Sequence, residues 1–280
     1  MESNFYTPSE IINNNIKSGI SKANMPLIKM VLLGIMAGAF IAFGGAASNV
    51  AVHDISNVGL AKALAGAIFP VGLMLVVFTG SELFTGNCLM LMACLDKKIK
   101  VMQMLRNLIV VYLSNFLGAL IIDVLIFFSG QFDFSAGGLG AYTIKVALAK
   151  TDISPITAVI SGILCNILVC LAIILAGAAK DAVGKIFGIF FPICAFVICG
   201  FEHCVANMFY IPAGMLAATN PTYVEKANEL YGITEQQCTN LAHFAGSQSL
   251  LFVTIGNIIG GMVFMGLVLY FAHIKEWKKK

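Results

Sequence analysis

Gly200-Phe201-Glu202-His203-Cys204-Val205-Ala206-Asn207 places a carboxylate, an imidazole and a carboxamide within one short stretch of an apolar run long enough to cross a bilayer. An ionisable side chain at membrane depth costs about 2.5–3.5 kcal/mol on insertion scales, so such groups are rare there and mark pathways and proton relays. Imidazole titrates between about pH 5 and 8, so His203 is the group here that could exchange a proton near neutrality. Gly80-Ser81-Glu82-Leu83-Phe84-Thr85-Gly86-Asn87 has the same frame, G-x-E-x-x-x-x-N, earlier in the chain. The doubling argues against one stray polar group. Gly80 and Gly200 loosen the backbone, and a broken helix leaves N–H groups without partners. Glu82, Glu202, Asn87 and Asn207 are therefore read as structural groups at the two breaks. There is no H-E-x-x-H and no Ser–His pair on a shared helix face, so an intramembrane enzyme is not supported. Eight cysteines show no C-x-x-C spacing, and neither a metal site nor a cofactor is expected.

Helices in lipid must hold these residues. The chain has 280 residues, of which 59% are hydrophobic and 11% charged, with a net charge of +3. Its mean hydropathy is +0.91. That composition belongs to an integral membrane protein and leaves no basic footprint for nucleic acid. The polar N-terminus lacks a positive segment followed by an apolar one, so no cleaved signal peptide is expected. Thr7-Pro8-Ser9-Glu10 spells a capping box, and Ile12, Ile16 and Ile20 follow at helical spacing. Residues 1–26 thus read as an amphipathic helix against the membrane or the protein's own inner face. Six apolar spans fill residues 27–273: 30–53, 63–81, 104 to about 129, 153–179, 186 to the second break, and 249–272. Gly34 and Gly38 form a GxxxG packing motif in the first. The second and fifth spans are broken, with half-helices at Cys88–Leu95 and about Asn207–Ala217, too short to cross alone. The Gly-rich residues 130–143 read as loop, and Pro221 to Asn240 as a polar segment with one short surface helix. Residues 274–280 form a basic tail.

Of the 17 Lys and Arg residues, thirteen lie on one side: in the N-terminal segment, in the 96–106 loop, at Lys180 and Lys185, and in the tail. Lys62, Lys145, Lys150 and Lys226 lie on the other. The excess predicts that both termini are cytoplasmic, in a multi-pass protein of the cell membrane. Three spans separate the two breaks, so the second half (about 152–273) inserts upside down relative to the first (about 27–130). Asn115-x-x-Gly118 and Asn257-x-x-Gly260 are a weaker echo of the repeat. The expected fold is all-α, six transmembrane helices in two inverted three-helix repeats, with helices 2 and 5 broken. Broken backbone at membrane depth survives only in protein or beside a water-filled cavity, which puts a transport path between the halves.

GFEHCVANMFYIP, GSELFTGN and the lysine after the third span resemble the formate/nitrite transporter family over essentially all six spans, most specifically in GFEHxxANM. The resemblance implies an aquaporin-like protomer in a homopentamer, each protomer with its own pore in the lipid bilayer. It implies His203 at the pore centre with Thr85 and Asn166, and an outer constriction of Phe69 and Phe196. It assigns the inner constriction to Leu73, Leu83, Phe84, Val169 and Ala206, and anion recruitment to Lys150. Without it, Phe69 and Phe196 are ordinary core or lipid-facing aromatics and Lys150 an interface lysine. The implied substrate is a small monovalent anion of a weak acid: formate, nitrite or hydrosulfide, with the hydrosulfide branch nearest in general character.

The physics suits that class. An anion crossing an apolar slit sheds water at a cost, and a weak acid can take a proton and pass neutral. Proton exchange at His203 is the expectation for that step. The alternative is a neutral-solute channel of aquaporin type. Against it, the sequence has no NPA triplet, and its single arginine, Arg106, sits in a loop.

Overall fold

A computed structural model describes residues 4–243 and 248–274; these are helical but for turns, short connections and an isolated bridge between Phe5 and Ala179. The basic segment from Lys275 onwards lies outside the described residues. In chain order the helices are α1 (Pro8–Ala23), α2 (Leu27–Val52), α3 (Val58–Thr79), α4 (Phe84–Leu95), α5 (Val101–Phe128), α6 (Gly138–Thr151), α7 (Pro155–Ala178), α8 (Ala182–Cys199), α9 (Cys204–Ala217), α10 (Pro221–Tyr231), α11 (Glu235–Ala242) and α12 (Ser249–His273). Six of them, α2, α3, α5, α7, α8 and α12, are long and apolar enough to span a membrane. They are the expected spans, with ends shifted by a few residues.

Local chemistry sets the ends. Thr7 caps α1, and the Glu10 carboxylate accepts from the Thr7 N–H at 2.8 Å. That bond, and a second from the Thr7 hydroxyl, hold the Glu10 carboxyl below the usual glutamate range. Ile12, Ile16 and Ala23 are buried, so α1 lies on the protein itself, where a methyl group on Gly19 would meet Ala93 of α4 at 3.0 Å. In α3 the helix is interrupted at Phe69, before Pro70, which has no N–H to continue it. In α12 residues Ile259–Leu267 are π-helical.

Glycines set the crossings. A methyl on Gly118 of α5 would strike the carbonyl oxygen of Ile35 in α2, and one on Gly260 of α12 would strike that of Ile163 in α7. Backbones meet this closely only between small residues. The two crossings occupy matching places, so the halves α2–α5 and α7–α12 follow one plan in opposite orientation.

Three expectations need correction. Residues 130–143 are not all loop: α6 begins at Gly138. A methyl on Gly140 would meet the Tyr223 ring at 2.5 Å, and this close packing against α10 offsets the roughly 1 kcal/mol helix penalty of glycine. The polar segment holds two helices, because Gly232 at φ +66° ends α10 and a capping box of Thr234 and Gln237 starts α11. The half-helices begin earlier than expected, at Phe84 and Cys204, for reasons that lie in the breaks themselves.

Candidate functional site

Gly80 at φ +67° ends α3, and Gly200 at φ +72° ends α8, a conformation that glycine adopts without strain. Residues 81–83 and 201–203 then run non-helically before α4 and α9 resume. At the first break, Asn115 of α5 accepts from the Phe84 N–H at 2.9 Å and donates to the carbonyls of Gly34 and Glu82, both at 2.8 Å. At the second, Asn257 of α12 accepts from the Cys204 N–H at 2.8 Å and donates to Gly162 at 2.8 Å and Glu202 at 3.0 Å. The broken backbone is therefore satisfied by carboxamides, which both donate and accept, whereas a carboxylate only accepts.

The glutamates at the breaks hold lysines. Glu82 accepts from Lys22 of α1 at 2.5 Å and from Asn87 at 2.7 Å. Glu202 accepts from Lys150 of α6 at 2.6 Å and from Asn207 at 2.7 Å. A buried charge is tolerable when it is paired and its other lone pairs are bonded.

His203 caps α9. The Ala206 N–H can only donate, so at 3.1 Å the His203 Nδ1 must accept. The neutral ring therefore carries its proton on Nε2, which lies 2.9 Å from the Thr85 hydroxyl. Asn166 donates to the carbonyls of Thr85 at 3.3 Å and Asn257 at 2.6 Å. Phe196 stands between this polar group and Phe69: its ring meets Phe69 edge-on at 5.6 Å and His203 at 6.0 Å. All these side chains are buried. So are Leu73, Leu83, Val169, Ala206 and Phe84, whose ring stands edge-on to Tyr112 at 4.9 Å.

Two cavities approach this centre. One of about 780 Å³ is lined by Asn49, Lys62, Lys150, Val197, Gly200 and Tyr210 among others. The other, of about 360 Å³, is lined by Lys22, Glu82, Leu83, Gly86 and Ile173 among others. No residue lines both, and neither is lined by His203, Thr85 or Phe196.

The sequence profile of the formate/nitrite transporter family matches residues 9–271. The chain belongs to that family. It is 36% identical to a probable formate transporter of Methanothermobacter thermautotrophicus, over 99% of this chain and 100% of the relative. It is 37% identical to the formate channel FocA of Haemophilus influenzae, over 93% of this chain and 92% of the relative. A solved pentameric formate channel with formate bound superposes with a TM-score of 0.76 at 32% identity, covering 89% of this chain and 98% of that one. These relatives are transport proteins, so this is a multi-pass membrane protein of a channel family and not an enzyme.

Within that family frame, the structure brings His203, Thr85, Asn166, Phe69 and Phe196 into one stack. Lys150 does line the larger cavity, but its ammonium is held by Glu202. Sequence reasoning missed Lys22 as the partner of Glu82, and it missed what Asn115 and Asn257 do. The Asn-x-x-Gly echo was the signal for that pair.

Proposed function

We propose that the protein is a homopentameric channel for small monovalent anions of weak acids, formate foremost, with one pathway in each protomer. The observation that carries this reading is the stack of Phe69, Phe196, His203 and Thr85, buried between two cavities. Formate is favoured over nitrite and hydrosulfide because the relatives are named for it. An aquaporin-type channel for neutral solutes is not favoured by this kinship. Both termini face the cytoplasm of the cell, so the cavity of Lys62 and Lys150 is the outer one and that of Lys22 the inner.

Phe69 and Phe196 form the outer slit. Leu83, which lines the inner cavity, forms the inner one with Leu73, Phe84, Val169 and Ala206. A dehydrated anion is disfavoured in the slit, and a weak acid relieves this by taking a proton. Proton exchange at His203 itself would require Nδ1 to release the Ala206 N–H. The cap favours another route: the proton comes from water in the outer cavity, and His203 stays neutral as a hydrogen-bonding pivot.

Flux of formate, nitrite, hydrosulfide and chloride into proteoliposomes tests the class. The weak-acid anions should pass and chloride should pass poorly; chloride flux equal to formate flux would overturn the reading. For the pivot, formate flux is measured from pH 5 to 8 in wild type, His203→Asn and His203→Phe. Asn also caps helices, so His203→Asn should keep the wild-type pH profile and most of the flux, while His203→Phe should lose most of it. A flattened profile in the Asn variant would restore proton exchange at His203.

A further inference from the structure

The outer cavity is lined by six ionisable cationic or acidic side chains that could meet an incoming anion: His53, Asp54, Lys62, Lys145, Lys150 and Lys226. Most of the cations are already engaged. Lys150 is 2.6 Å from the Glu202 carboxylate. Lys226 is 2.8 Å from Glu229. Lys145 lies over the Tyr231 ring, 4.2 Å from its centroid. Both ring nitrogens of His53 are taken, one by the Val50 carbonyl and one by the Ser135 hydroxyl, each at 2.8 Å. Lys62 is different. Among the described residues it makes no hydrogen bond, ion pair or ring contact, and Asp54, the carboxylate on the same cavity wall, is not within ion-pair distance of it.

Its position is as telling as its freedom. A methyl group on Gly200 would lie 2.8 Å from the Lys62 Nζ, so the ammonium rests directly on the glycine that ends α8. Gly200 stands three residues before His203, at the lip of the second break. The carbonyl end of α8 attracts a cation there without needing a side-chain partner. An anion arriving through the outer cavity thus meets an exposed, unneutralised charge at Gly200. The Lys150–Glu202 pair, by contrast, presents almost no net charge at a distance.

We infer that Lys62 is the capture site of the outer mouth: it binds the incoming small monovalent anion over Gly200 and hands it to the slit of Phe69 and Phe196. The inference rests on the anion-channel reading above. Lys150 is then a positioning residue that holds Glu202 and the second break, and the long-range attraction belongs to Lys62. Gly200 leaves room for the ammonium and the anion together, since any side chain at that position would occupy the space.

The test is formate uptake against concentration in proteoliposomes, for wild type, Lys62→Gln, Lys62→Arg and Lys62→Glu, at about 10 mM and 500 mM of an impermeant salt. At low salt, Lys62→Gln should raise the half-saturating formate concentration about three- to tenfold and leave the maximal rate within twofold. Lys62→Glu should raise it further, and Lys62→Arg should restore it. High salt shortens the Debye length to a few ångströms and should shrink these differences. An unchanged half-saturation in Lys62→Gln, or a loss of maximal rate that ignores salt, would overturn the assignment, as would failure of Lys62→Arg to restore uptake. Oligomer size and melting temperature of each variant separate a folding defect from a binding one. Failure of wild type to pass formate, nitrite or hydrosulfide would instead overturn the channel reading on which the assignment stands.

Discussion

Asp123 is fully buried in α5, and among the described residues neither of its carboxylate oxygens has a hydrogen-bond partner. It lines neither cavity. A buried polar group without partners costs about 1–3 kcal/mol by mutational measure. Asp123→Val, close in shape and apolar, should therefore raise the melting temperature of the purified protein and leave formate flux unchanged. A lower melting temperature would show that the carboxyl contributes to the fold. At this scale the sequence brought candidate residues together wherever they stood in one motif or were implied by the family resemblance. His203, Thr85, Asn166, Phe69 and Phe196 do meet. The lysine partners were not legible. Lys22 precedes Glu82 by 60 residues and Lys150 precedes Glu202 by 52, so only the folded chain decides which carboxylate each lysine finds. Lys22 reads in sequence as one more polar residue on an amphipathic helix.

The broken helices depend on their neighbours more than on their own sequence. Asn115 and Asn257 each close three backbone bonds across a break, one accepted and two donated. Asn115→Leu or Asn257→Leu should cost about 1–3 kcal/mol for each buried group left bare. The measurement is thermal unfolding of the purified oligomer. Because Asn115 and Asn257 bond no group in common, the double variant should lose close to the sum of the single losses. A melting temperature unmoved by either change would mean that the breaks are held by something else. The match between the breaks is not complete. Asn87 donates to Asn107 at 2.8 Å, whereas Ser249, as far beyond Asn107 as Asn257 is beyond Asn115, has no partner for its hydroxyl among the described residues, and neither has the Asn207 amide oxygen. Periodicity and composition gave the spans, because long apolar runs leave few alternatives in lipid. They misread α6, where Tyr223 of α10 packs directly on Gly140. That information lies some 80 residues away from Gly140, in Tyr223.

Across the whole molecule the surface is as apolar as the core. Ile28, Leu32, Phe43, Ile109, Leu113 and Phe128 are exposed, as lipid or a neighbouring protomer requires. The sequence pattern says that this surface faces something apolar and leaves lipid and a neighbouring protomer as equal occupants. It could also say that the halves are inverted, because the breaks are marked by rare residues and separated by an odd number of spans. What it could not reveal is that each break is bonded mainly by its own side of the chain. Glu82, Asn87 and Asn115 lie in the first half and Glu202, Asn207 and Asn257 in the second, and each lysine comes from the short helix just ahead of its half, Lys22 from α1 and Lys150 from α6. Polar bonds between the halves include Thr85 to His203 and to Asn166, Tyr112 to Thr254 and Tyr270 to Asp96. Residues 1–130 and 131–280, co-expressed as two chains, should therefore reassemble and carry formate. Co-purification without flux would place an essential constraint in the connection between α5 and α6, and failure to co-purify would contradict the independence of the halves. The paired lysines carry a history as well. Each broken helix, together with the short helix ahead of its half, is neutralised and bonded as one unit, α1–α5 and α6–α12. Two units of one plan in opposite orientation are what duplication of a single such unit leaves in a chain.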